Sequence, residues 1–354
     1  MTPRERVLTA LDHAEPDRVP VDYWATSEVT ESLKARLGCA SEEELLRRLG
    51  VDVRYVPHAY CGPELPRGDD WWVDMWGVKR RRVAYDGGHY DEVVEYPLAA
   101  AESSEDLDGH AWPDAAWYDF SGLPQACAGL KRFALANDVD RLNRTCVVKA
   151  AEYLVGMEKL MMDMALRPEF VEALFGRIAR FYLDANERLF KAAGGALDIF
   201  YMGDDFGTQM GLLVSPAMWR DLVAPHMREF CRQAHDAGLK VLHHTCGAVA
   251  DLVDDLVDVG VDILNPVQTT AAGMDPGGLK SRFGDRVCFH GSMDTQGTLP
   301  KGTPEDVRAE VRSRVETLGA GGGFILLSTH NIQPDVPYEN IIAMYEEATG
   351  LDIA

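Results

Sequence analysis

The sequence lacks the long apolar runs and the leader pattern of membrane or exported proteins. None of its 354 residues falls in an apolar stretch near the ~18 residues that a membrane-spanning helix requires. Three arginines and four acidic residues interrupt positions 1–21, so this segment has no continuous apolar core of a signal peptide. The sequence also has no internal repeat and no low-complexity linker. We therefore expect a globular, cytoplasmic protein.

Paired cysteines and basic charge are scarce as well. The seven cysteines are odd in number and none forms a CxxC motif, which argues against a disulfide framework. The 35 lysines and arginines are outnumbered by 57 acidic residues, and the formal charge is −22 at pH 7. Binding to nucleic acid or to an anionic membrane depends on basic residues, so we expect neither partner. We expect a small-molecule substrate, and the oligomeric state stays open, a homodimer included.

What the sequence does contain is an alternation of short apolar runs with amphipathic helices. Runs rich in Val, Ile, Leu and Phe are typical of strands buried on both faces, as in parallel sheets. Eight such strands alternating with helices predict an α/β fold, a single (βα)8 TIM barrel, rather than an open doubly wound sheet. The predicted strands are residues 19–24, 51–57, 146–150, 197–202, 240–243, 261–266, 286–289 and 323–327.

Three of the predicted helices have clear ends. Thr303 and Pro304 are typical of a helix start, and Gly319 is typical of a helix end. A second helix is predicted from 168 to 194, and a third runs from 215 toward 238 with a kink at a proline. We expect these amphipathic helices to cover the sheet.

One segment interrupts the alternation between the second and third predicted strands. Residues 61–141 are too long for one helix, and the strand-like runs 78–85 and 89–96 flank an Asp-Gly-Gly turn sequence. We predict a β-hairpin insertion here. Five of the seven tryptophans lie in this segment, so it must pack against another part of the protein. It forms either a small satellite core or a cap over the barrel mouth.

Polar residues follow the predicted strands at their carboxyl ends, where the functional groups of a (βα)8 barrel lie. This ring of potential ligands and acid–base groups comprises His58, Lys149, Asp204, Asp205, His244, Cys246, Gln268, His290, Asp294, His330 and Asn331. Of the residues in or beside this ring, we predict as substrate-binding Gln209, Gln268, Asp294 and Asn331.

A histidine and a cysteine at the end of the fifth predicted strand form the sharpest motif. His244 and Cys246 are two residues apart, so their side chains point to the same side of an extended chain and can share a metal ion. Zinc accepts nitrogen and thiolate ligands, and it requires a further ligand from another strand. His330, after the last strand, is the favoured third ligand. The alternatives for that position are His290, Cys288 and Asp204.

Two neighbouring carboxylates, Asp204 and Asp205, end the fourth predicted strand. Neighbours on a strand point to opposite faces, so we expect one of them to enter the barrel mouth and the other to bind a turn or a loop amide. The carboxylate in the mouth would act as a proton donor, a proton acceptor or a cation partner. Asp204 and Asp205 are therefore the predicted catalytic residues.

Together these motifs resemble the uroporphyrinogen decarboxylase superfamily, and in particular its zinc-dependent, cobalamin-linked methyltransferases such as the methylcobalamin:coenzyme M methyltransferases. The similar segments are residues 2–7, 16–20, 204–209, 244–247, 291–296 and 330–340. The resemblance implies a distorted (βα)8 barrel over residues 1–354. In that branch a His-x-Cys pair and a last-strand cysteine bind zinc, which activates a thiol for attack on a methyl group. His244 and Cys246 match the pair, but His330 stands in place of the last cysteine, which argues against a thiol acceptor like coenzyme M.

The resemblance also separates two activities. Uroporphyrinogen decarboxylases share an N-terminal Met-Arg-Gln-Ala-Gly-Arg segment whose arginines hold the carboxylates of the substrate. Here residues 22–27 read Asp-Tyr-Trp-Ala-Thr-Ser. The missing arginines and the charge of −22 disfavour a polycarboxylate substrate.

The predicted function is that of a zinc-dependent methyltransferase or demethylase. It would move a methyl group between a small substrate and a corrinoid (cobalamin) on a partner protein, or from a methylcorrinoid to a thiol or folate. One alternative is a metal-free decarboxylase of the tetrapyrrole pathway. The other is a non-catalytic corrinoid-binding or metal-binding protein.

Overall fold

A computed structural model describes residues 1–85, 88–138 and 144–353 of the chain. The strands in these residues are β1 (Val53–Val56), β2 (Ala59–Tyr60), β3 (Trp71–Val73), β4 (Lys79–Tyr85), β5 (Gly88–Glu95), β6 (Tyr118–Asp119), β7 (Ala134–Asn137), β8 (Ile199–Gly203), β9 (Lys240–His244), β10 (Ile263–Asn265), β11 (Cys288–Met293) and β12 (Phe324–Ser328). The α-helices are α1 (Pro3–Leu11), α2 (Ser27–Leu37), α3 (Glu42–Arg48), α4 (Leu123–Leu130), α5 (Val148–Val155), α6 (Met157–Leu166), α7 (Pro168–Ala193), α8 (Pro216–Leu222), α9 (Ala224–Asp236), α10 (Val253–Val259), α11 (Pro276–Phe283), α12 (Thr298–Lys301), α13 (Pro304–Leu318) and α14 (Tyr338–Thr349).

Seven of the strands form one curled parallel sheet with the order β1-β7-β8-β9-β10-β11-β12. The segment before α2 runs along both edges of this sheet. The backbone N–H of Asp22 donates to the carbonyl of Leu326 in β12 (3.0 Å), and that of Asp52, just before β1, donates to the carbonyl of Val21 (2.9 Å). Because this segment joins the two edges, the fold is α/β and TIM-barrel-like.

The third predicted strand is wrong. Residues 146–150 lie at the start of helix α5, and the place in the sheet is taken by β7, which pairs with β1 and β8. The physical reason is a long-range cap, because the carboxylate of Asp204 accepts the backbone N–H groups of Val147, Val148 and Lys149. The first predicted strand, residues 19–24, is reduced to an isolated bridge at Val21, and a second bridge lies just beyond it at Ala25. The other six predicted strands overlap β1, β8, β9, β10, β11 and β12.

The helices follow their start signals. Thr303 caps α13 in a reciprocal capping box with Asp306, which satisfies backbone N–H groups that the helix itself leaves free. Instead of one helix kinked at Pro225, the structure has two helices, α8 and α9, that meet at Val223. Pro225 lies in the first turn of α9, where a missing N–H costs no hydrogen bond.

Two apolar clusters hold the sheet from its two sides. The inner cluster fills the curl of the sheet with residues such as Val53, Ile199, Leu242 and Ile325, and it includes Trp24. The outer cluster lies between the sheet and the helices. Alternate residues of each strand therefore enter different cores, and the inner row ends at the site described below.

The tryptophan-rich segment between β1 and β7 contains a three-stranded antiparallel sheet, β3-β4-β5, and a two-stranded one, β2-β6. Trp76 is buried, and its ring contacts Phe181 and Tyr182 of α7 with centroid distances of 5.0 and 5.6 Å. The first two residues of the predicted turn 86–88 and the predicted end of the insertion at 141 lie outside the described residues. Across the described part of the chain, the helices are too short or too polar to cross a membrane.

Candidate functional site

A cavity of about 570 Å³ opens at the carboxyl ends of the parallel strands. Its lining combines charged groups with aromatic rings, and the charged groups include two arginines, Arg54 and Arg144. Among the lining residues that matter for chemistry are Trp24, Tyr55, Arg144, Tyr201, Asp205, His244, Cys246 and His330.

Three potential metal ligands converge in this cavity. Asp205, His244 and Cys246 each offer a ligand atom, and these atoms all lie within 4.8 Å of one another. The Nε2 atom of His244 is 3.4 Å from the Sγ atom of Cys246 and 3.7 Å from Oδ1 of Asp205. The strand geometry produces this, because His244 ends β9 and the N–H of Cys246 donates to Asp205, just after β8.

His330, the predicted third ligand, and Asn331 both line the same cavity. His330 does not belong to the group of ligand atoms within 4.8 Å, and a carboxylate oxygen of Asp205 is the third member instead. Of the alternatives, His290 contacts Asp22 through Nε2 (3.0 Å). Cys288 begins β11, far from the carboxyl ends of the strands, and its Sγ atom lies 3.6 Å from Nε2 of His13. The structure thus brings together two of the three predicted ligands with a residue predicted as catalytic.

The two neighbouring aspartates have different surroundings. Asp204 is buried, and it is not among the described residues that line the cavity. Burial raises the pKa of Asp204 to about 6, although three backbone N–H groups, at 2.6 to 3.1 Å, act to lower it. Asp204 therefore holds the start of α5, and Asp205 is the aspartate in the site.

The carboxylate of Asp205 lies among positive groups. Its Oδ2 atom is 3.6 Å from the ammonium group of Lys149, which also binds Glu152 (2.9 Å). Burial works against ionisation, but the proton that His244 takes up at low pH and the permanent charges of Arg144 and Lys149 hold the pKa of Asp205 well below its usual range. At neutral pH this residue is an anion that can accept hydrogen bonds or bind a cation.

The imidazole of His244 is neutral at pH 7. Burial lowers its pKa to about 3, Arg144 adds to this effect, and Asp205 opposes it. The Nδ1 atom contacts the side-chain oxygen of Asn265 at 2.6 Å. A neutral imidazole is the form that binds metal ions, and a hydrogen bond at one nitrogen leaves the other nitrogen as the ligand.

Three of the predicted substrate-binding residues hold loops together. Gln268 accepts from the N–H of Gly247 (2.8 Å) and donates to Gln209 (3.0 Å), which donates to the carbonyl of Thr270 (2.6 Å). Asp294 accepts from the N–H of Gln296 (2.8 Å). Within the described residues these side chains are absent from the cavity wall, whereas Asn331 is part of it.

Several residues of the site were not predicted from the sequence. Asn265 lies opposite His244 in the register of β9 and β10, so its position at the end of a predicted strand was the available signal. Asp22 lies within the first predicted strand, and the hydroxyl of Tyr55 donates to it (2.5 Å). Arg144, which donates to the hydroxyl of Tyr201 (3.2 Å), follows a strand that the sequence did not predict.

Comparison with known proteins places this geometry in a family. The model of the uroporphyrinogen decarboxylase (URO-D) family matches residues 145–351, which is more than half of the chain. The chain belongs to the URO-D family. The matched part contains Asp205, His244 and Cys246, and the predicted resemblance to this family is confirmed.

Curated relatives carry the family's name but align with this URO-D protein only in part. Uroporphyrinogen decarboxylase from Methylococcus capsulatus is 34% identical over 94 residues, which is 27% of this chain and 25% of the relative. The enzyme from Thermus thermophilus is 28% identical over 179 residues, or 48% of this chain and 47% of the relative. The chain thus spans about half or less of the length of these relatives.

A solved structure covers nearly the whole chain. A methyltransferase from Methanosarcina mazei superposes on 99% of this chain and 99% of its own, with a TM-score of 0.65 and 19% sequence identity. This similarity establishes a shared fold.

Proposed function

We propose that this protein is a zinc-dependent methyltransferase or demethylase. It moves a methyl group between a small substrate and a corrinoid, or from a methylcorrinoid to a thiol or folate acceptor. The observation that carries the proposal is the convergence of Asp205, His244 and Cys246 within 4.8 Å at one wall of the cavity. The fold shared with a methyltransferase over 99% of both chains is consistent with it.

The residues of the site fit a zinc ion. A neutral imidazole, a cysteine thiolate and a carboxylate are the three ligand types that zinc accepts in proteins, and three protein ligands with an open position are typical of catalytic zinc. His244 would bind through Nε2, because its Nδ1 atom is engaged by Asn265. Cys246 and Asp205 would complete the set, and His330 is the further candidate on the cavity wall. When bound, zinc lowers the pKa of a thiol, hydroxyl or water, or polarises the heteroatom that carries the methyl group.

The remaining residues of the cavity bind and orient the substrate. Trp24, Tyr55 and Tyr201 have ring centroids 5.6 to 6.5 Å apart, and they give one wall an apolar surface that suits a methyl group and excludes water. Arg144 is buried beside Tyr201 and presents N–H donors to a polar group. Asp205 stays ionised, and the backbone N–H of Cys246 fixes the direction of its carboxylate (3.1 Å).

The partner and the cap are further parts of the proposal. The sequence resemblance supports a corrinoid carried by a separate protein. Pro57 lines the cavity, and it stands just before the tryptophan-rich segment, which leaves the barrel at the carboxyl end of β1. A segment that starts at the mouth is placed to cover the substrate there before the chain returns to the amino end of β7.

Metal content tests the proposal directly. Purified protein, and the variant Cys61→Ala, should hold about one zinc ion per chain by elemental mass spectrometry. Cys61 is an exposed cysteine whose thiol contacts the carbonyl of Ala116, so it is a matched control. Cys246→Ala should lose the metal and the transfer of methyl groups from methylcobalamin to thiol or folate acceptors. A wild-type protein that neither holds nor takes up zinc would contradict the proposal.

One observation favours a decarboxylase instead, since the curated relatives are named uroporphyrinogen decarboxylases. The charge of the cavity argues against that reading. Its lining carries five carboxylates but two arginines, an arrangement that repels a polyanion. The carboxylates are Asp22, Glu42, Glu43, Asp138 and Asp205. Formation of coproporphyrinogen from uroporphyrinogen would overturn our choice, and tight corrinoid or metal binding without methyl transfer would favour a non-catalytic protein.

A further inference from the structure

A chain of buried side chains leads from the candidate metal site across the interior of the barrel. The Nδ1 atom of His244 contacts Oδ1 of Asn265 (2.6 Å), and Nδ2 of Asn265 contacts Nδ1 of His290 (2.6 Å). The Nε2 atom of His290 then contacts Oδ2 of Asp22 (3.0 Å). Asp22 thus stands three hydrogen bonds away from His244, and all four residues are at most 6% exposed.

We propose that Asp22, acting through His290 and Asn265, is a positioning residue that places the imidazole proton of His244 on Nδ1. The lone pair of His244 is then on Nε2, which faces the thiol of Cys246 at 3.4 Å. The inference rests on the proposed metal site, because a lone pair at Nε2 is what makes His244 a ligand.

The direction of the chain follows from Asp22. A carboxylate only accepts hydrogen bonds, and this one already accepts from the backbone N–H of Tyr23 (2.7 Å) and from the hydroxyl of Tyr55 (2.5 Å). His290 must therefore donate to Asp22 from Nε2. In a neutral imidazole the other nitrogen is then an acceptor, so Nδ1 of His290 requires a donor from Asn265.

The amide of Asn265 carries this direction to the site. Its Nδ2 atom lies 2.6 Å from Nδ1 of His290 and also 3.4 Å from the carbonyl oxygen of His290, which only accepts. Two acceptors on one side fix the amide nitrogen there. The amide oxygen must then face His244, and Nδ1 of His244 must donate to it.

The opposite direction of hydrogen bonding along these four side chains would be energetically costly and would prevent metal binding. It would leave the carboxylate of Asp22 facing an acceptor nitrogen of His290, and the carbonyl of His290 facing the amide oxygen of Asn265, although these residues are buried. It would also place a proton on Nε2 of His244, where that proton blocks a metal ion. Each residue in the chain therefore contributes to the same tautomer.

The tautomer can be measured without a metal. Proton–nitrogen NMR spectra of metal-free protein labelled at its histidine nitrogens report which nitrogen carries the proton, and spectra of His244→Gln and His290→Gln assign the signals. We expect the proton on Nδ1 in His244 and on Nε2 in His290. A proton on Nε2 of His244 would overturn the proposal, whether or not the protein binds zinc.

Zinc affinity, measured by competition with a chromophoric chelator, gives the second readout. Asn265→Leu removes the acceptor for Nδ1 and should weaken zinc binding roughly 10–100-fold, the range known for such supporting residues. Asp22→Asn, which does not touch the metal ligands, should weaken it in the same direction, by roughly tenfold. Asn265→Asp removes the donor to His290 but keeps an oxygen acceptor for Nδ1 of His244, so zinc affinity should stay within about threefold of wild type.

Asn137 offers a matched control. It ends β7 as Asn265 ends β10, is also buried, and bonds the backbone of Tyr201 through both amide atoms. Asn137→Leu should leave zinc affinity unchanged. If wild type binds zinc and Asp22→Asn and Asn265→Leu bind it equally well, the positioning role is wrong while the metal site stands. Should Asn265→Leu fail to fold, Asp22→Asn against Asn265→Asp gives the same decision.

Discussion

The ends of β8 and β9 each present two neighbouring residues of one type, and in both pairs one residue lies inside the barrel and the other outside. Asp205 and His244 line the cavity. Asp204 binds the start of α5, and the ring of His243 stacks on Phe206 at 5.4 Å and 16°. The same side-chain chemistry therefore serves two purposes, depending only on the face of the strand.

Burial does not distinguish the two histidines. Both are less than 9% exposed, and burial lowers the pKa of each to about 3. They differ in their partners, because His244 has Asn265 at Nδ1 and Cys246 and Asp205 near Nε2. Among the residues that the structure describes, neither ring nitrogen of His243 has a hydrogen-bond partner. A potential ligand is thus recognised by a fixed tautomer and converging neighbours, and a perturbed pKa alone does not identify it.

The largest expected effect compares these two histidines by the same substitution. His244→Phe should abolish zinc binding, because it removes a ligand from a site with few ligands to spare. His243→Phe should leave the zinc content at the wild-type level, since its ring packs against Phe206 in the outer core. Elemental mass spectrometry of the two purified variants measures both. Loss of zinc in both variants would mean that the two faces are not independent.

The second expected effect compares the two aspartates. Asp204→Ala leaves three backbone N–H groups at the start of α5 without their acceptor, so the free energy of unfolding should fall by about 3 kcal/mol. Asp205→Ala removes the partner of Lys149 and of one backbone N–H, so it should lower the free energy of unfolding by only about 1–2 kcal/mol and should chiefly weaken zinc binding. Denaturant unfolding and metal titration separate the two outcomes. A stable Asp204→Ala variant without zinc would assign Asp204 to the site.

These pairs also explain what could be read from the sequence. The rule that neighbours on a strand face opposite sides predicted that His244 and Cys246 point together and that only one aspartate enters the mouth. It could not choose between Asp204 and Asp205, because that choice depends on where β8 ends and on the backbone N–H groups of α5. The partners of Asp204 lie 55 to 57 positions away in the chain.

The same long-range contact explains the misplaced strand. Residues 146–150 have a strand-like composition, but the carboxylate of Asp204 caps them as a helix start. The strand β7 reads Ala-Leu-Ala-Asn, which lacks the β-branched residues on which strand prediction depends. The chain from Asp22 to His244 was also beyond local reasoning, since it links strands far apart in sequence.

The smallest expected effect is a change in stability with pH that is caused by His243, the histidine on the outer face. Burial lowers the pKa of His243 from 6.5, the value of an ordinary histidine, to about 3. Between these two pH values the unfolded chain binds a proton that the folded protein does not bind. The stability tied to this group is present above pH 6.5 and is lost as the pH falls toward 3. His243→Phe removes the group from both states. Its free energy of unfolding, relative to wild type, should therefore rise by about 2 kcal/mol between pH 7 and pH 5. Denaturant unfolding of both proteins at pH 5, 6 and 7 measures this difference. It isolates His243, because His244 and Asp204 are present in both proteins. A difference in the free energy of unfolding that does not change with pH would mean that His243 accepts a proton in the folded state.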